Sequence, residues 1–384
     1  MAQDNFSLED RNFSFWEKDN LTGNRDFIII GAGLVGLSTA ISIKEKYENA
    51  SILILERASI PYGASTRNAG FACFGSLSEI VDDLNHLNTA EVEQLINMRW
   101  HGLRVLRERI GDHKLSYLGL GGYELFSGRQ SANYDMCIDK LEQINDLIYR
   151  SIAKSNCFSL VDNPFGLDSH GSLIYNQYEG QLHPGMMIKH LQRIALNLGV
   201  EIQYGVDIGS YESTTIGGID LYGNRDTIRF NASKVIITTN AFTPSLVDSL
   251  DLKPGRNQVM MTKPIGNLKI SGCFHYDMGY VYFRDYAGRL LIGGGRNIAL
   301  EEETTEEFGV TDEIRNYLRR LVSEMILPDT PYEEEGWWSG IIATGSNKKP
   351  IVKEISANVF VGVRLGGMGV AIGSLIGQEL AQLV

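Results

Sequence analysis

The sequence predicts an α/β plus α+β protein, in which a Rossmann-like nucleotide-binding domain carries an inserted antiparallel-sheet domain. Three observations predict this fold. A β-α-β unit with a Gly-rich turn occupies residues 26–56, and a second Gly-rich turn joins a buried strand to a helix over residues 358–384. Residues 256–296, between them, are instead rich in isolated strands with short turns.

The domain boundaries follow from these changes in pattern. The segments predicted to form the discontinuous nucleotide-binding domain are 24–80, 184–250 and 336–384. Those predicted to form the inserted, substrate-binding domain are 81–183 and 251–335, and 1–23 is an N-terminal extension. A chain of 384 residues is long enough for two domains.

The first element is a dinucleotide-binding fingerprint, GAGLVG (31–36), placed after the apolar run Phe27–Ile30. Gly31 permits the tight turn, Gly33 lets the backbone approach a pyrophosphate, and Gly36 lets the helix pack against the strand. The helix N-terminus, with Leu34 and Val35, offers free N–H groups and partial positive charge to phosphates.

Glu56 completes this unit at the end of the second strand, where a carboxylate accepts hydrogen bonds from ribose hydroxyls. The first strand, the Gly-rich turn, the helix and Glu56 follow one another at the spacing of a dinucleotide-binding unit. They therefore predict a dinucleotide site. A Gly-rich turn in an α/β protein without nucleotide is the alternative. The fingerprint does not choose between NAD and FAD, because both carry an ADP half.

Two further segments bear on that choice. The stretch GASTRNAGF (63–71) could offer hydroxyl, amide and guanidinium donors to a pyrophosphate and a ribityl chain, with Ala69 and Gly70 lying flat near a flavin ring. An ordinary polar surface loop explains it equally well. In the C-terminal stretch VRLGGMGVAIGS, a helix N-terminus could stabilise negative charge on a reduced flavin. A packing helix without ligand is the alternative there.

Together these motifs resemble the FAD-dependent D-amino-acid oxidase superfamily, which includes glycine-, sarcosine- and dimethylglycine-oxidising enzymes. The resemblance covers nearly the whole chain and implies a glutathione-reductase-type FAD-binding domain. It also rests on His183-Pro184 before a helix, on TTNAFTP (238–244), on PGRNQ (254–258), on Arg289–Gly295, and on WSG before LGGMG. Within the superfamily the chain looks most similar to the gamma-glutamylputrescine oxidase-like group, which also has an aromatic leader like FSFWE (13–17).

The resemblance implies the residues that bind FAD. They are Gly31, Gly33, Leu34, Val35, Gly36, Glu56, Arg57, Ser65, Thr66, Arg67, Asn68, Ala69, Gly70, Val206, Asn240, Gly366, Gly367, Met368 and Gly369. Members with covalent flavin place a His where Arg67 stands, or a Cys near the last strand. Neither is evident here, so we expect non-covalent FAD.

The resemblance further implies a FAD-dependent oxidoreductase that oxidises a C–N bond of an amine or amino-acid-like substrate. Hydride passes to flavin N5 and an imine forms. No acid–base side chain is obligatory if the amine arrives neutral, and we therefore name no catalytic base. His183 is expected to be structural. The residues predicted to line the substrate pocket are Tyr282, Arg284, Arg364 and Met368, although core packing of Tyr282 and structural ion pairs of the arginines are the alternatives.

Four positions depart from the family pattern. Ile341 and Ile342 stand where amino-acid-oxidising members often have an Arg for the substrate carboxylate. Leu291 and Ala371 stand where sarcosine-type oxidases have lysines, one for oxygen activation and one for carboxylate. These departures weigh against a small amino acid as substrate and against fast reaction with oxygen.

Two alternatives remain for the function. The first is an NAD(P)-dependent dehydrogenase, in which residues 63–71 and the C-terminal Gly turn would lack a purpose. The second is a non-catalytic flavin-binding protein or a subunit of a larger dehydrogenase, which the departures favour.

Composition narrows the remaining classes. The net charge of −12 argues against nucleic acid and anionic membranes as partners. No apolar run reaches the roughly 20 residues that span a bilayer, and the polar N-terminus lacks a secretory core. The four cysteines and seven histidines show no disulfide or metal-ligand spacing. We expect a cytoplasmic protein without metal, acting on a small molecule, and the sequence assigns no oligomeric state.

Overall fold

A computed structural model describes residues 14–215, 217–225 and 227–384. The part of the predicted N-terminal extension before Ser14, including Phe13 of the aromatic leader, therefore lies outside the described residues. The strands are β1 (Arg25–Ile30), β2 (Ile52–Glu56), β3 (Phe71–Ala72), β4 (Gly122–Leu125), β5 (Phe158–Val161), β6 (Leu173–Asn176), β7 (Gly180–Gln181), β8 (Glu201–Tyr204), β9 (Ile208–Ser213), β10 (Ile219–Gly223), β11 (Ile228–Ile237), β12 (Lys253–Thr262), β13 (Cys273–Tyr276), β14 (Val281–Tyr286), β15 (Arg289–Gly294), β16 (Glu334–Thr344), β17 (Ile351–Ser356) and β18 (Val359–Val363).

The helices connect these strands. They are α1 (Leu34–Lys46), α2 (Ala64–Arg67), α3 (Leu77–His86), α4 (Thr89–Ile110), α5 (Asp112–Leu115), α6 (Ser131–Ile152), α7 (Pro184–Asn197), α8 (Asp312–Leu321) and α9 (Gly369–Leu383). A π-helical turn, Val322–Ile326, extends α8. No described helix is both long enough and apolar enough to cross a membrane.

The first sheet holds the nucleotide-binding unit. Its strand order is β17-β18-β11-β1-β2-β8, and β10 and β9 extend from β11. The pairs β11–β1, β1–β2, β2–β8 and β11–β18 are parallel, so the carboxyl ends of these strands meet at one edge. The apolar residues of β1 are buried on both faces, as parallel strands covered by helices require.

Two helices pack on this sheet at unusually short range. A Cβ added to Gly373 of α9 would lie 2.7 Å from Leu34 of α1, and one added to Gly377 would lie 2.5 Å from Ser38. Glycines four residues apart therefore give α9 a smooth face toward α1. This packing fixes the N-termini of α1 and α9 close to the same sheet edge.

The second sheet is mainly antiparallel, with strand order β16-β12-β15-β14-β13-β4-β6-β5. Alternate residues of β13 and β14, such as Phe274 and Phe283, enter its hydrophobic core with α8. The predicted fold class, a Rossmann-like domain with an inserted antiparallel sheet, is confirmed. Strand β16 pairs with β12 in this sheet, whereas the sequence assigns residues from 336 onward to the nucleotide-binding domain.

Candidate functional site

The glycine-rich turn after β1 forms the first part of the site. Gly31 has a φ of 106°, a conformation that side chains disfavour. A Cβ on Gly36 would lie 2.0 Å from the Gly31 carbonyl oxygen and 2.8 Å from Thr238 Oγ1. Only glycine at position 36 lets α1 start this close to β1, and the helix N-terminus is thereby aimed at the sheet edge.

Glu56 is held in place by the backbone around it. Its Oε2 accepts a hydrogen bond from Ala32 N–H at 3.0 Å, and its Oε1 accepts one from Ala58 N–H at 3.1 Å. The Arg57 guanidinium stacks on Phe242 at 3.9 Å from the ring centroid. The carboxylate is thus oriented at the end of β2, where ribose hydroxyls are bound in dinucleotide folds.

The stretch 63–71 is part of the same structure. Its Ser65 Oγ accepts a hydrogen bond from Leu34 N–H, at 2.9 Å, at the start of α1. Its far end is anchored to β16, because Trp338 Nε1 donates to the Arg67 carbonyl at 2.9 Å and Arg67 Nε donates to the Ser339 carbonyl. The segment therefore joins the fingerprint to the second sheet, and a free surface loop is excluded.

Some details of that stretch differ from expectation. Ala64–Arg67 is a short helix, not an extended segment. The Asn68 amide nitrogen donates to the Ala64 and Ser65 carbonyls, and Thr66 Oγ1 donates to the Pro61 carbonyl at 2.9 Å. The Arg67 guanidinium stacks on Tyr62 and Phe308. These contacts fix the shape of the segment, and its role as a donor to the pyrophosphate and ribityl chain stays a prediction.

The turn before α9 closes the opposite side. Gly366 and Gly367 have φ angles of 56° and 82°, in the region that favours glycine. Little protein lies beside them: a Cβ on Gly366 would meet no atom within 4 Å, and one on Gly367 only Ile342. The backbone here is consequently open to a ligand that approaches along α9.

These parts line two adjacent cavities. The nucleotide cavity, with an empty volume of about 1330 Å³ including its mouth, lies along the carboxyl ends of β1, β2 and β11. The inner cavity, of about 1740 Å³ measured in the same way, lies between α3, β13, β14 and the turn before α9. The residues that line both are Ala64, Asn68, Ile342, Gly366, Gly367 and Val370.

Most of the residues predicted to bind FAD line these cavities. Those in the nucleotide cavity are Gly31, Gly33, Leu34, Val35, Glu56, Arg57, Ser65, Asn68, Val206, Asn240, Gly366, Gly367 and Gly369. Those in the inner cavity are Arg67, Asn68, Ala69, Gly70, Gly366, Gly367 and Met368. Gly36 lines neither, because it packs helix against strand, and Thr66 faces the outside of the segment.

The fit to a dinucleotide is supported by one buried atom. Asn240 lines the nucleotide cavity in a left-handed conformation, with φ 49°. Its Oδ1 is buried and has no hydrogen-bond partner among the described residues. Buried polar atoms rarely stay unpaired, so this acceptor suits a ligand donor. Helix N-termini, an oriented acid and an unpaired acceptor together match the ADP half of FAD.

The four predicted substrate residues separate into two pairs. Tyr282 and Met368 line the inner cavity. Arg284 is 4% exposed, and its guanidinium donates to the Leu182 carbonyl at 3.1 Å. Arg364 is 6% exposed and donates to Asp251 Oδ2 at 2.6 Å. Neither arginine is among the residues that line the inner cavity. Arg364 forms the structural ion pair that was the alternative, whereas Arg284 is bonded to a backbone carbonyl and forms no ion pair among the described residues.

The structure adds a buried pair that the sequence did not indicate. His275 Nε2 lies 2.8 Å from Glu179 Oε2, and the two residues are 6% and 1% exposed. His275 lines the inner cavity beside Cys73. Glu179 precedes β7 and His275 lies on β13, which the fold alone brings together. Cys73 Sγ, one Glu179 carboxylate oxygen and one His275 ring nitrogen lie within 4.8 Å of one another. The spacing of the histidines in the sequence did not predict this cluster.

The pKa values of His275 and Glu179 depend on each other's charge. Burial lowers the pKa of His275, but the carboxylates of Glu179, Glu79 and Glu124 outweigh it and raise the pKa to about 9. Burial raises the pKa of Glu179, against the opposing effect of His275. The pair therefore holds a proton between its two side chains near neutral pH.

Further charged residues line the inner cavity. Glu79 and Asp82 come from α3, Arg296 from a 3₁₀ turn after β15, and Lys348 from the β16–β17 loop. The Lys348 ammonium pairs with the buried Asp83. The Arg296 guanidinium lies 5.8 Å from the Tyr280 ring centroid. The inner cavity is thus polar and charged, unlike an apolar packing void.

The fold and the nucleotide cavity define the class of dinucleotide-binding proteins, and a cavity with charged lining residues lies beside the nucleotide cavity. Residues 26–383 match the model of the DAO family, described as FAD dependent oxidoreductase, and the chain belongs to this family. The NAD(P)-dependent alternative is therefore wrong, and the cofactor is FAD.

Curated relatives and solved structures agree with this assignment. The chain is 22% identical over 379 residues to the probable oxidoreductase OrdL of Haemophilus influenzae, covering 94% of this chain and 82% of that protein. It is 22% identical over 380 residues to gamma-glutamylputrescine oxidoreductase of Escherichia coli, with 94% and 83% covered. Glycine oxidase from Geobacillus kaustophilus superposes with a TM-score of 0.74 at 19% identity, covering 94% and 95%.

Proposed function

We propose that the protein oxidises a C–N bond of an amine or amino-acid-like substrate bound in the inner cavity. The observation that carries the proposal is the junction of the two cavities, which share the Gly366–Gly367 turn. A cofactor seated along the nucleotide cavity would present its reactive ring there. The resemblance to gamma-glutamylputrescine oxidoreductase and to glycine oxidase points to nitrogen-bearing substrates.

The chain supplies binding and orientation. Glu56, Ser65 and the N-terminus of α1 would hold the ADP half, and the turn before α9 would contact the ring. When bound, FAD would supply the two-electron acceptor, at flavin N5, for a hydride from the substrate carbon, and the product would be an imine. Tyr282 and Met368 would flank the substrate.

We further propose that FAD is held without a covalent bond. Arg67 occupies the position of the family's flavin-linked His, and its guanidinium is sandwiched between Tyr62 and Phe308. Of the four cysteines, Cys73 alone lines a cavity. Burial raises the pKa of the Cys73 thiol well above its usual range, which leaves little thiolate to react with a flavin.

The residues that depart from the family pattern bear on the class of substrate that the protein binds. Leu291 is buried in an apolar cluster with Ala69 and Val259, and Ile341 is buried in the core. Ile342, which lines both cavities, offers no charge to a carboxylate. We propose that the oxidised carbon of the substrate does not carry a carboxylate bound in the usual family position.

We propose that the chain is divided into the two domains that the sequence predicts. Segments 24–80 and 184–250 hold the strands of the first sheet up to β11, and 81–183 and 251–335 hold most strands of the second. Residues 336–384 would complete the FAD-binding domain, although β16 crosses into the second sheet. Limited proteolysis with and without FAD would test these limits, since FAD should protect the first set of segments.

The function is tested by anaerobic reduction of the bound flavin. Amines and amino acids are added one at a time while the visible flavin absorbance is followed. We expect an amine to bleach it, and readmission of air then distinguishes an oxidase from a dehydrogenase. If a fully FAD-loaded protein is bleached by dithionite but by no amine or amino acid, the non-catalytic alternative replaces this proposal.

A further inference from the structure

This inference rests on the proposed function, which requires that the substrate nitrogen be unprotonated when the neighbouring carbon is oxidised. The nitrogen lone pair forms the C=N bond as hydride leaves the neighbouring carbon. Alkylamines resemble the lysine side chain, with a pKa of about 10.4, and are mostly ammonium ions at neutral pH. A substrate that enters the cavity as the ammonium ion therefore has to lose one proton there.

We propose that His275, held by Glu179, accepts the proton that the substrate ammonium loses. In this pair His275 is the catalytic residue and Glu179 is a positioning residue. Nothing in the sequence motifs pointed to either side chain, because they lie on separate elements that only the folded sheet brings together.

The position of His275 is the first observation that supports its role as proton acceptor. His275 lies on β13 between Phe274 and Tyr276, which enter the core, so its own side chain faces the other way and lines the inner cavity. Its Nε2 faces Glu179 Oε2 at 2.8 Å. Nδ1 has no hydrogen-bond partner among the described residues and is the nitrogen left to accept a proton.

An aromatic contact also fixes the orientation of the His275 ring. The Phe71 ring packs edge-on against the His275 ring, with centroids 5.4 Å apart, and against Tyr282 at 5.6 Å. All three residues line the inner cavity. His275 therefore stands in the same wall as the aromatic residue predicted to contact the substrate.

The charges around the ring suit proton acceptance. The groups that act on His275 are Glu179 before β7, Glu79 on α3 and Glu124 on β4. Their negative charge draws a substrate cation toward the ring and stabilises the imidazolium after transfer. The resulting pKa of about 9 lies close to that of an alkylammonium, so little free energy separates donor and acceptor.

Other residues lining the cavity suit the task less well. Burial raises the pKa of Tyr282 and of Cys73, which keeps both protonated and unable to accept. Arg67 and Arg296 are guanidinium groups and remain charged. The Lys348 ammonium is paired with Asp83. Glu79 already accepts a hydrogen bond from Ser76 N–H through one oxygen, and it serves below as the competing candidate.

The step balances without any further reactant. One N–H bond of the substrate ammonium breaks, and one N–H bond forms at His275 Nδ1. The electron pair of the broken bond stays on the substrate nitrogen, which becomes a neutral amine. The imidazole becomes an imidazolium, and the Glu179 carboxylate compensates its charge.

The test measures the limiting rate of anaerobic flavin reduction, at saturating amine, across pH. An acceptor must be unprotonated, so the wild-type rate should rise about tenfold per pH unit and level off above about pH 9. The inflection should stay in place for two amines whose own pKa values differ by about two units. An inflection that follows the amine's pKa would overturn the proposal.

Variants separate catalysis from structure. His275→Gln should lose the pH-dependent limb and slow reduction by about 100-fold or more. Glu179→Gln should shift the inflection to lower pH, because the imidazolium loses its carboxylate. Since His275→Gln leaves Glu179 buried alone, the double variant Glu179→Gln/His275→Gln keeps the charge balanced if the single one fails to fold. His101→Gln, exposed on α4, is the matched control and should leave the profile unchanged.

A second readout does not depend on turnover. The His275 imidazole signal in the NMR spectrum of the holoenzyme, assigned by its loss in His275→Gln, should titrate near pH 9 and shift downward in Glu179→Gln. If amines reduce the wild-type flavin but His275→Gln keeps the same limb, or Glu79→Gln removes it instead, this inference alone fails. If no amine reduces the wild-type flavin, the proposed function fails and this inference falls with it.

Discussion

The two cavities meet at one turn but are built by opposite means. The nucleotide cavity is lined by glycines, apolar side chains and the N-terminus of α1, and the carboxylate of Glu56 is held there by two N–H groups. The inner cavity is lined by ionisable side chains, and its His275–Glu179 pair is almost fully buried.

This contrast follows from what each cavity has to do. The ADP half of a cofactor, which does not take part in the reaction, is bound well by rigid dipoles, which need no titration and little side-chain ordering. Proton transfer needs a group whose affinity for a proton lies near that of the substrate, and burial beside carboxylates tunes it. The account predicts that mutations in the nucleotide cavity change FAD affinity, whereas mutations in the inner cavity change pH dependence.

The strongest way to break the nucleotide cavity is Gly36→Val. Its Cβ would lie 2.0 Å from the Gly31 carbonyl oxygen, which forces α1 away from β1. We expect loss of detectable FAD and destabilisation by about 3 kcal/mol, measured from the ratio of visible to ultraviolet absorbance and from thermal unfolding. Gly266→Ala is the control, because its added Cβ meets no atom within 4 Å. A yellow Gly36→Val protein of normal stability would contradict the account.

The inner cavity should reveal its charge through the pH dependence of stability. Folding raises the pKa of His275 from about 6.5 to about 9. A raised pKa stabilises the fold below the unfolded value and loses that contribution as pH rises through the folded value. The free energy of unfolding should therefore fall between about pH 6.5 and about pH 9, by on the order of 3 kcal/mol.

Denaturant titration at several pH values measures this fall. The double variant Glu179→Gln/His275→Gln removes both charges and should show a much flatter profile over the same range. Equal slopes in wild type and double variant would mean that the pair is not coupled in the folded protein.

A smaller effect in the nucleotide cavity is expected from Glu56→Ala. The change removes the acceptor for the ribose and frees the N–H groups of Ala32 and Ala58. We expect FAD to bind about 10- to 100-fold more weakly, since hydrogen bonds to charged groups contribute about 1.5–3 kcal/mol. Glu56→Gln keeps one carbonyl oxygen and should lose less. Titration of the apoprotein with FAD, followed by fluorescence, measures both.

Ser65→Ala sharpens the comparison with the smallest change. Its hydroxyl accepts a hydrogen bond from Leu34 N–H at 2.9 Å and so joins residues 63–71 to α1. We expect a loss of about 1 kcal/mol, or roughly fivefold in FAD affinity, with no change in the pH profile of flavin reduction. A shifted profile would show that the two cavities are not functionally separate.

The same contrast explains what the sequence could predict. The elements that form the nucleotide cavity are local, because strand, glycine turn, helix and Glu56 follow one another within residues 26–56. The fold class, the Gly-rich turn and many of the residues that line the nucleotide cavity could therefore be predicted. Arg284 and Arg364 could not be placed, since their partners, Leu182 and Asp251, are distant in the sequence.

His275 and Glu179 were missed for the same reason. Ninety-six positions separate them in the chain, and no short motif contains both. The only sequence signal was alternation on β13, where Phe274 and Tyr276 enter the core and the residue between them must face elsewhere. The pairing of β16 with β12 was likewise not predicted, because it depends on the whole second sheet.

The central claim is that one continuous site holds FAD and brings an amine to it. The most direct measurement is the visible spectrum of the purified, FAD-loaded protein as amines are added without oxygen. The account predicts a yellow protein whose flavin absorbance is bleached by an amine, faster as pH rises toward about 9. A protein that binds no FAD, or a loaded flavin that no amine bleaches at any pH, would contradict it.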